Sequence, residues 1–208
     1  MTALIPARGA GADKFDAPAL FYLSNQAQID EWHGLRSTVS EALGEWFRTT
    51  VRDALAFRGE ALGYEASEAR GPGGYHAVVL HTPGTVVQNG SPVIGVGVAW
   101  PAKTVSPTSN KPFATVRCSR NDTGRAAARA FLAAGGQEYR SSTTGVYGGD
   151  TDAWPVYTWI NADDRWWTDL DNYRDNVLGS VLRLANDLRE PLLAGFAVEA
   201  TGSIEETE

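Results

Sequence analysis

Residues 91–135 constrain the fold of this chain more than any other stretch. Residues 92–100 alternate bulky apolar side chains with small ones, and a strand-like pattern resumes over residues 113–120 after a basic loop. Asn121 or Asp122 then supplies a helix N-cap, and a Gly-Gly pair further along predicts where that helix ends. This succession of strand, loop, strand and capped helix predicts an α+β domain.

Two long helical patterns lie on either side of this segment. Apolar side chains recur at gaps of three and four residues over 24–59, with Ser24 as N-cap, and again over 163–188. Further strands are predicted over residues 75–81, 138–144 and 154–160. The element order α-β-β-β-α-β-β-α predicts a mainly antiparallel or mixed four- to five-stranded sheet covered by two long amphipathic helices.

The strand over residues 92–100 has one bulky and one bare face. Gly95, Gly97 and Ala99 contribute almost no side chain to the bare face. Glycine inside a strand marks a place where another group approaches the backbone closely. We therefore expect a helix or a ligand to pack on that face.

The chain reads as one domain with two extensions. Residues 1–18 are rich in Gly, Ala and Pro and predict a flexible N-terminal arm, residues 19–198 form a single α+β domain, and residues 199–208 form an acidic C-terminal tail. The single cysteine excludes an intramolecular disulfide and favours a reducing compartment. Without a signal-peptide pattern or a long apolar run, we expect a cytoplasmic protein that does not enter a membrane.

Positive charge is concentrated in one part of an acidic protein. The net charge is −7, which argues against general nucleic-acid binding, yet residues 100–140 carry +5 and the remainder carries −12. Because a helix N-terminus also attracts anions, we predict a basic strand-helix edge that binds an anionic ligand or a partner protein. Its residues are Lys103, Lys111, Arg117, Ser119, Arg120 and Arg125.

Tryptophans cluster in the second half of the chain. Trp166 and Trp167 are adjacent, so they cannot both face the same core, and Trp159 lies on a predicted strand nearby. Aromatic side chains that remain half exposed are typical of protein interfaces. We therefore predict an interface at Trp159, Trp166 and Trp167, and self-association is one way to use it.

No assembled catalytic set is apparent from the sequence. Cys118 falls on the apolar face of its strand, which predicts a core residue, and its spacing to Arg125 is one residue longer than in the phosphatase loop C-x5-R. His76 and His81 fall on opposite faces of one strand, so they cannot chelate a metal together. We expect no catalytic residues, no metal site and no cofactor.

The order of elements over about residues 25–160 resembles the αβββαβ core of the PD-(D/E)xK nucleases. That resemblance implies an acidic residue on the second strand and a (D/E)xK motif on the third, which together hold a metal beside a phosphate. The corresponding strands here read VIGVGVAWP and FATVRCSR and contain no carboxylate. The resemblance is therefore one of topology alone.

These observations favour a non-enzymatic interaction or adaptor protein that binds a partner protein or an anionic ligand through the basic strand-helix edge. An alternative is a hydrolase of phosphate esters or nucleic acid that has a nuclease-like topology without the standard motif. It would use Arg117, Arg120 and the aspartates near residue 163. A third alternative is a structural subunit of a larger assembly, such as a viral or prokaryotic accessory protein.

Overall fold

The computed structural model describes residues 16–71, 74–83, 91–102, 111–149, 153–162 and 166–202. The chain divides into two compact units, Met1–Val39 and Ser40–Glu208. The predicted hairpin turn at residues 89–90 and most of the predicted N-terminal arm lie outside the described residues.

The described part of the first unit is helical. Helix α1 spans Ala17–Trp46, and the carboxylate of Asp16 accepts a hydrogen bond from the Ala19 backbone N–H at 2.9 Å. The helix therefore begins earlier than the predicted cap at Ser24. Several large apolar side chains of this unit are exposed, among them Phe21, Trp32 and Leu35.

In the second unit, helical segments pack on one face of a single sheet. The chain passes from α1 through a π-helical turn, Phe47–Val51, into α2, Arg52–Glu60. The strands are β1 Glu65–Arg70, β2 Tyr75–His81, β3 Ile94–Pro101, β4 Phe113–Cys118, β5 Val146–Tyr147 and β6 Val156–Trp159. The later helices are α3 Asp122–Phe131, α4 Gln137–Ser142, α5 Leu170–Asp187 and α6 Arg189–Gly202.

The sheet confirms the α+β prediction and corrects its details. It has six strands in the order β1-β2-β3-β4-β6-β5, and every neighbouring pair is antiparallel. The prediction of four to five strands was short because β1 and β5 carry weak strand patterns. The predicted strand at residues 138–144 is wrong, since most of it forms α4.

Helix boundaries follow local signals. Asn121 caps α3 by accepting from the Gly124 N–H at 2.8 Å. Gly135 has a φ of 119°, which a residue without a side chain adopts easily, and there the chain leaves the axis of α3 before α4 begins. Pro191 lies in the first turn of α6, where the absence of its N–H costs nothing.

The main core lies on one face of the sheet, which we call the helix-covered face. Val78, Leu80, Val96, Val98 and Trp100 project from it and are almost fully buried against the helices. Cys118 is also buried there, as predicted.

The opposite face holds a second, smaller cluster, and we call it the aromatic face. Phe113, Trp154 and Tyr75 contact one another edge to face, with ring centroids 5.4–6.4 Å apart. Gly95 and Gly97 lie on this face, but the described residues do not show the predicted approach of a helix or a ligand to them, since the group closest to both glycines is the backbone of β2. A side chain on Gly97 would overlap the carbonyl oxygen of Val78. Among the helices of the described ranges, none has the length and apolarity needed to cross a membrane.

Candidate functional site

Arg117, the central residue of the predicted basic edge, is buried in the structure. Its side chain projects from β4 onto the aromatic face and is only 6% exposed. The guanidinium donates to the carbonyl oxygen of Pro92 at 2.6 Å and to that of Arg70 at 3.1 Å. Burial lowers the pKa of Arg117, and no carboxylate in the described part of the chain pairs with it.

The other residues of the predicted basic edge have separate roles. Arg125 forms an ion pair with Asp122 at 2.6 Å, and the Ser119 hydroxyl hydrogen-bonds to Asn121, the α3 cap. Lys111 donates to Asn161 at 3.2 Å, Arg120 is exposed, and Lys103 lies outside the described residues. The structure therefore does not bring Arg117 onto an outward surface with Arg120 and Arg125.

The three predicted interface tryptophans do not share one surface, although the rings of Trp166 and Trp167 are in contact, with centroids 6.1 Å apart. Trp159 is 39% exposed on the aromatic face, where it contacts Phe113. Trp167 is 59% exposed, whereas Trp166 packs against Tyr173 of the main core. As predicted, Trp166 and Trp167 do not both pack into one core. Trp159 lies on the aromatic face, opposite the main core against which Trp166 packs.

A cleft of about 630 Å³ lies where the ends of β1, β2 and β3 meet the π-helical turn. Arg70, His76 and Trp100 form one row across the three strands, because Arg70 pairs with His76 and His76 pairs with Trp100. The described residues that line the cleft are Arg48, Glu68, Ala69, Arg70, His76, Ala77, Ser91 and Trp100.

Trp100 forms the buried floor of this cleft. Its ring is 1% exposed and lies between the rings of His76 and Phe47, at centroid distances of 5.9 and 4.8 Å. The indole N–H has no acceptor among the described residues, which is unusual for a buried donor. This nitrogen and the Arg48 guanidinium both lie within 4 Å of the position that a Cβ on Gly44 would occupy.

Among the described lining residues of the cleft, two arginines, Arg48 and Arg70, stand against one carboxylate, Glu68. Burial lowers the pKa of His76, the nearby charges of Arg48 and Arg70 lower it further, and Glu68 opposes them. Glu68 is also engaged by Arg52 at 3.4 Å, outside the cleft lining. Arg70 is exposed and makes no side-chain hydrogen bond or ion pair with any described residue.

Arg117 supports this cleft from the aromatic face. One of its acceptors is the carbonyl of Arg70, which lines the cleft, and the other belongs to Pro92, which follows the lining residue Ser91. Because one guanidinium bonds to both, the end of β1 and the segment before β3 must lie side by side. The predicted anion-binding arginine is thus placed to hold the cleft together.

Sequence reasoning missed most of the cleft. Arg48 and His76 lie in a predicted helix and a predicted strand, but neither was predicted to belong to a binding site. Arg70 lies in a strand that was not predicted. The alternation of Glu68, Ala69 and Arg70 was the available signal, and it is weak because Glu and Ala are poor strand formers.

Among the described residues, no group of three or more His, Cys, Asp and Glu side chains is arranged to hold a metal ion. Comparisons of this chain with the models of known protein families, with curated proteins and with solved structures gave no significant match. The chemistry of the site therefore has to be argued from its own residues.

Proposed function

We propose that this protein binds an anionic ligand, one bearing phosphate or carboxylate groups, in the cleft at the ends of β1–β3. The observation that carries the proposal is the convergence of three cationic or protonatable side chains, Arg48, Arg70 and His76, above a buried indole N–H that has no acceptor among the described residues. The sequence predicted anion binding at the basic strand-helix edge, whereas this proposal assigns it to the cleft.

The affinity for an anion depends on the guanidinium donors of the cleft. Hydrogen bonds from a guanidinium to phosphate or carboxylate are short and are roughly twice as strong as those between neutral groups. Arg70 offers such bonds without giving up a described partner. Arg48 shares its charge with Glu45 at 2.9 Å, but that pair is exposed, and exposed pairs contribute about 0–1 kcal/mol. Binding an anion therefore costs the cleft little in lost interactions.

His76 should link this binding to pH. In the free protein its pKa lies below the ordinary value of 6.5 because of burial and the two arginines. A bound anion favours the imidazolium and raises that pKa, so binding takes up a proton. The affinity for an anion should therefore increase as the pH falls below about neutral, and it should decrease as the pH rises.

The proposal is tested by isothermal titration calorimetry with pyrophosphate as the probe, at pH 6.0 and pH 8.0 and at low ionic strength. We expect the parent protein to bind at both pH values and more tightly at pH 6.0. Arg70→Gln should weaken binding at least tenfold. Pyrophosphate itself also takes up a proton between pH 8.0 and pH 6.0, so the test compares the change in affinity between the two proteins, and His76→Gln should lack the additional gain at pH 6.0 that His76 provides. Citrate, titrated in the same way, tests whether carboxylates serve as well as phosphates.

Arg120→Gln is the matched control, because it removes one exposed arginine of the originally predicted edge and leaves the cleft intact. It should bind pyrophosphate like the parent protein. If Arg120→Gln loses affinity and Arg70→Gln does not, the basic edge is the binding surface and the cleft proposal is wrong. Release of phosphate from pyrophosphate during the titration would instead support the hydrolase alternative.

A further inference from the structure

On the aromatic face, β1 and β2 bring a serine and a histidine together, and this pair points to an activity other than anion binding. We propose that Ser67 and His81 form a nucleophile–base pair that transfers a small acyl group from an ester to water. Neither residue lines the cleft, and His81 is separated from His76 by the sheet itself, since the two histidines project from opposite faces of β2.

The geometry of the pair is that of an activated serine. The Ser67 hydroxyl oxygen lies 2.7 Å from Nε2 of His81, and Nδ1 of His81 lies 3.0 Å from the carbonyl oxygen of Thr82. A carbonyl oxygen can only accept, so Nδ1 carries the hydrogen of that bond. In the neutral imidazole Nε2 is then an acceptor, and the Ser67 hydroxyl donates to it.

This arrangement places a nucleophile, a general base and an orienting acceptor in one line. Serine hydrolases use the same succession, with a carboxylate in the third position. Here the Thr82 carbonyl takes that position and fixes the tautomer of the ring. A neutral carbonyl stabilises an imidazolium less than a carboxylate does, so we expect slow turnover and a requirement for an activated ester.

The surroundings of the pair fit a reaction with a small acyl group. His81 is 2% exposed, so the base is shielded from water, whereas Ser67 is only partly buried. Ser67 pairs with Val79 and lies two residues from Ala69 on the same face, and both neighbours are buried and apolar. Because β1 and β2 are hydrogen-bonded along their length, the sheet fixes the distance between serine and histidine.

The chemical step conserves atoms and electrons. The Ser67 oxygen attacks the carbonyl carbon of the ester, its proton passes to Nε2 of His81, and the bond from that carbon to the leaving oxygen breaks. The leaving oxygen takes up the proton from Nε2, which produces an alcohol or phenol and an acyl-Ser67. Water then attacks the acyl carbon with the same proton transfers, releasing a carboxylic acid and regenerating the hydroxyl.

The experiment uses the full chain and p-nitrophenyl acetate. We expect an initial burst of p-nitrophenol close to one equivalent of protein, a slow steady rate, and an acetyl group on the tryptic peptide that contains Ser67. Ser67→Ala should abolish the burst and the acetyl adduct and lower the steady rate roughly 100-fold. Ser67→Cys, which keeps a nucleophile, should restore the burst, and this variant distinguishes lost chemistry from lost folding.

Two further variants complete the test. His81→Gln should lose the burst while it retains pyrophosphate binding, because the cleft lies elsewhere. His33→Gln removes an exposed histidine of α1 and should react like the parent protein. Circular dichroism and thermal melting establish that each variant is folded. A folded Ser67→Ala protein that retains the burst, or an acetyl group found only on lysines, would overturn the proposal and leave the pair as a structural hydrogen bond.

Discussion

Replacing Arg117 with methionine tests whether this residue holds the cleft together. The variant keeps a long side chain but removes two hydrogen bonds from a charged donor, to Pro92 at 2.6 Å and to Arg70 at 3.1 Å. Such bonds contribute about 1.5–3 kcal/mol each to stability, and their loss also leaves two carbonyl oxygens without this partner. Relief from burying a guanidinium offsets part of the loss.

We therefore expect Arg117→Met to lower the free energy of unfolding by about 2–4 kcal/mol. For a chain of this size, this corresponds to a decrease in Tm of roughly 5–15 °C. The measurement is urea unfolding followed by far-UV circular dichroism and tryptophan fluorescence. An unchanged slope of the unfolding free energy against urea concentration would show that the variant exposes the same amount of surface on unfolding. Binding of pyrophosphate to the folded variant should also weaken, because Arg70 loses its support.

Arg120→Met is the control for charge, since it removes an exposed arginine from the turn that follows β4. Its unfolding free energy should stay within about 0.5 kcal/mol of the parent value. An Arg117→Met protein that is as stable as Arg120→Met would refute the reasoning, because the two carbonyl bonds would then contribute nothing in solution. Arg117→Lys should fall between the parent protein and Arg117→Met, because it keeps the charge but loses the planar fork.

Three further predictions concern stability. The pKa of His76 in the folded protein is below its ordinary value of 6.5, so the unfolded chain binds the proton more tightly. The free energy of unfolding, measured with urea, should therefore fall as the pH drops below about 6.5, and it should fall less in His76→Gln. The added methyl of Gly97→Ala would overlap the Val78 carbonyl and should lower the free energy of unfolding by about 2–3 kcal/mol or more. Gly179→Ala lies on an open helix face and should raise that free energy slightly in the same assay. Gly44→Ala meets its neighbours at 3.6 Å or more, so a thermal melt should show stabilisation of up to about 1 kcal/mol.

Much of the architecture was accessible from sequence because its signals are local. The N-cap at Asn121, the core position of Cys118 and the bare face at Gly95 and Gly97 follow from side-chain chemistry and strand alternation. β2, β3, β4 and β6 were also predicted, since each is rich in branched or aromatic residues. Such signals need no knowledge of which strand pairs with which.

The errors arise where tertiary context overrides local preference. Residues 65–70 read EASEAR, which has little strand propensity, and only pairing with β2 makes them a strand. Alternation with Cys118 places Arg117 on the opposite face of β4, but it does not show that Arg117 is buried. Burial depends on the approach of Arg70 and Pro92, which are 47 and 25 residues away in sequence. Alternation fixes the face of a strand, but it does not show what covers that face.

The same strand explains why the candidate sites escaped sequence reasoning. β1 supplies Arg70 to the cleft on one face and Ser67 to the pair with His81 on the other, and β2 supplies a histidine to each. A strand that presents polar groups on both faces cannot display the apolar alternation by which strands are recognised. Local patterns fail where a strand carries residues that the fold alone would not select, and β1 is the strand of this protein in which that happens.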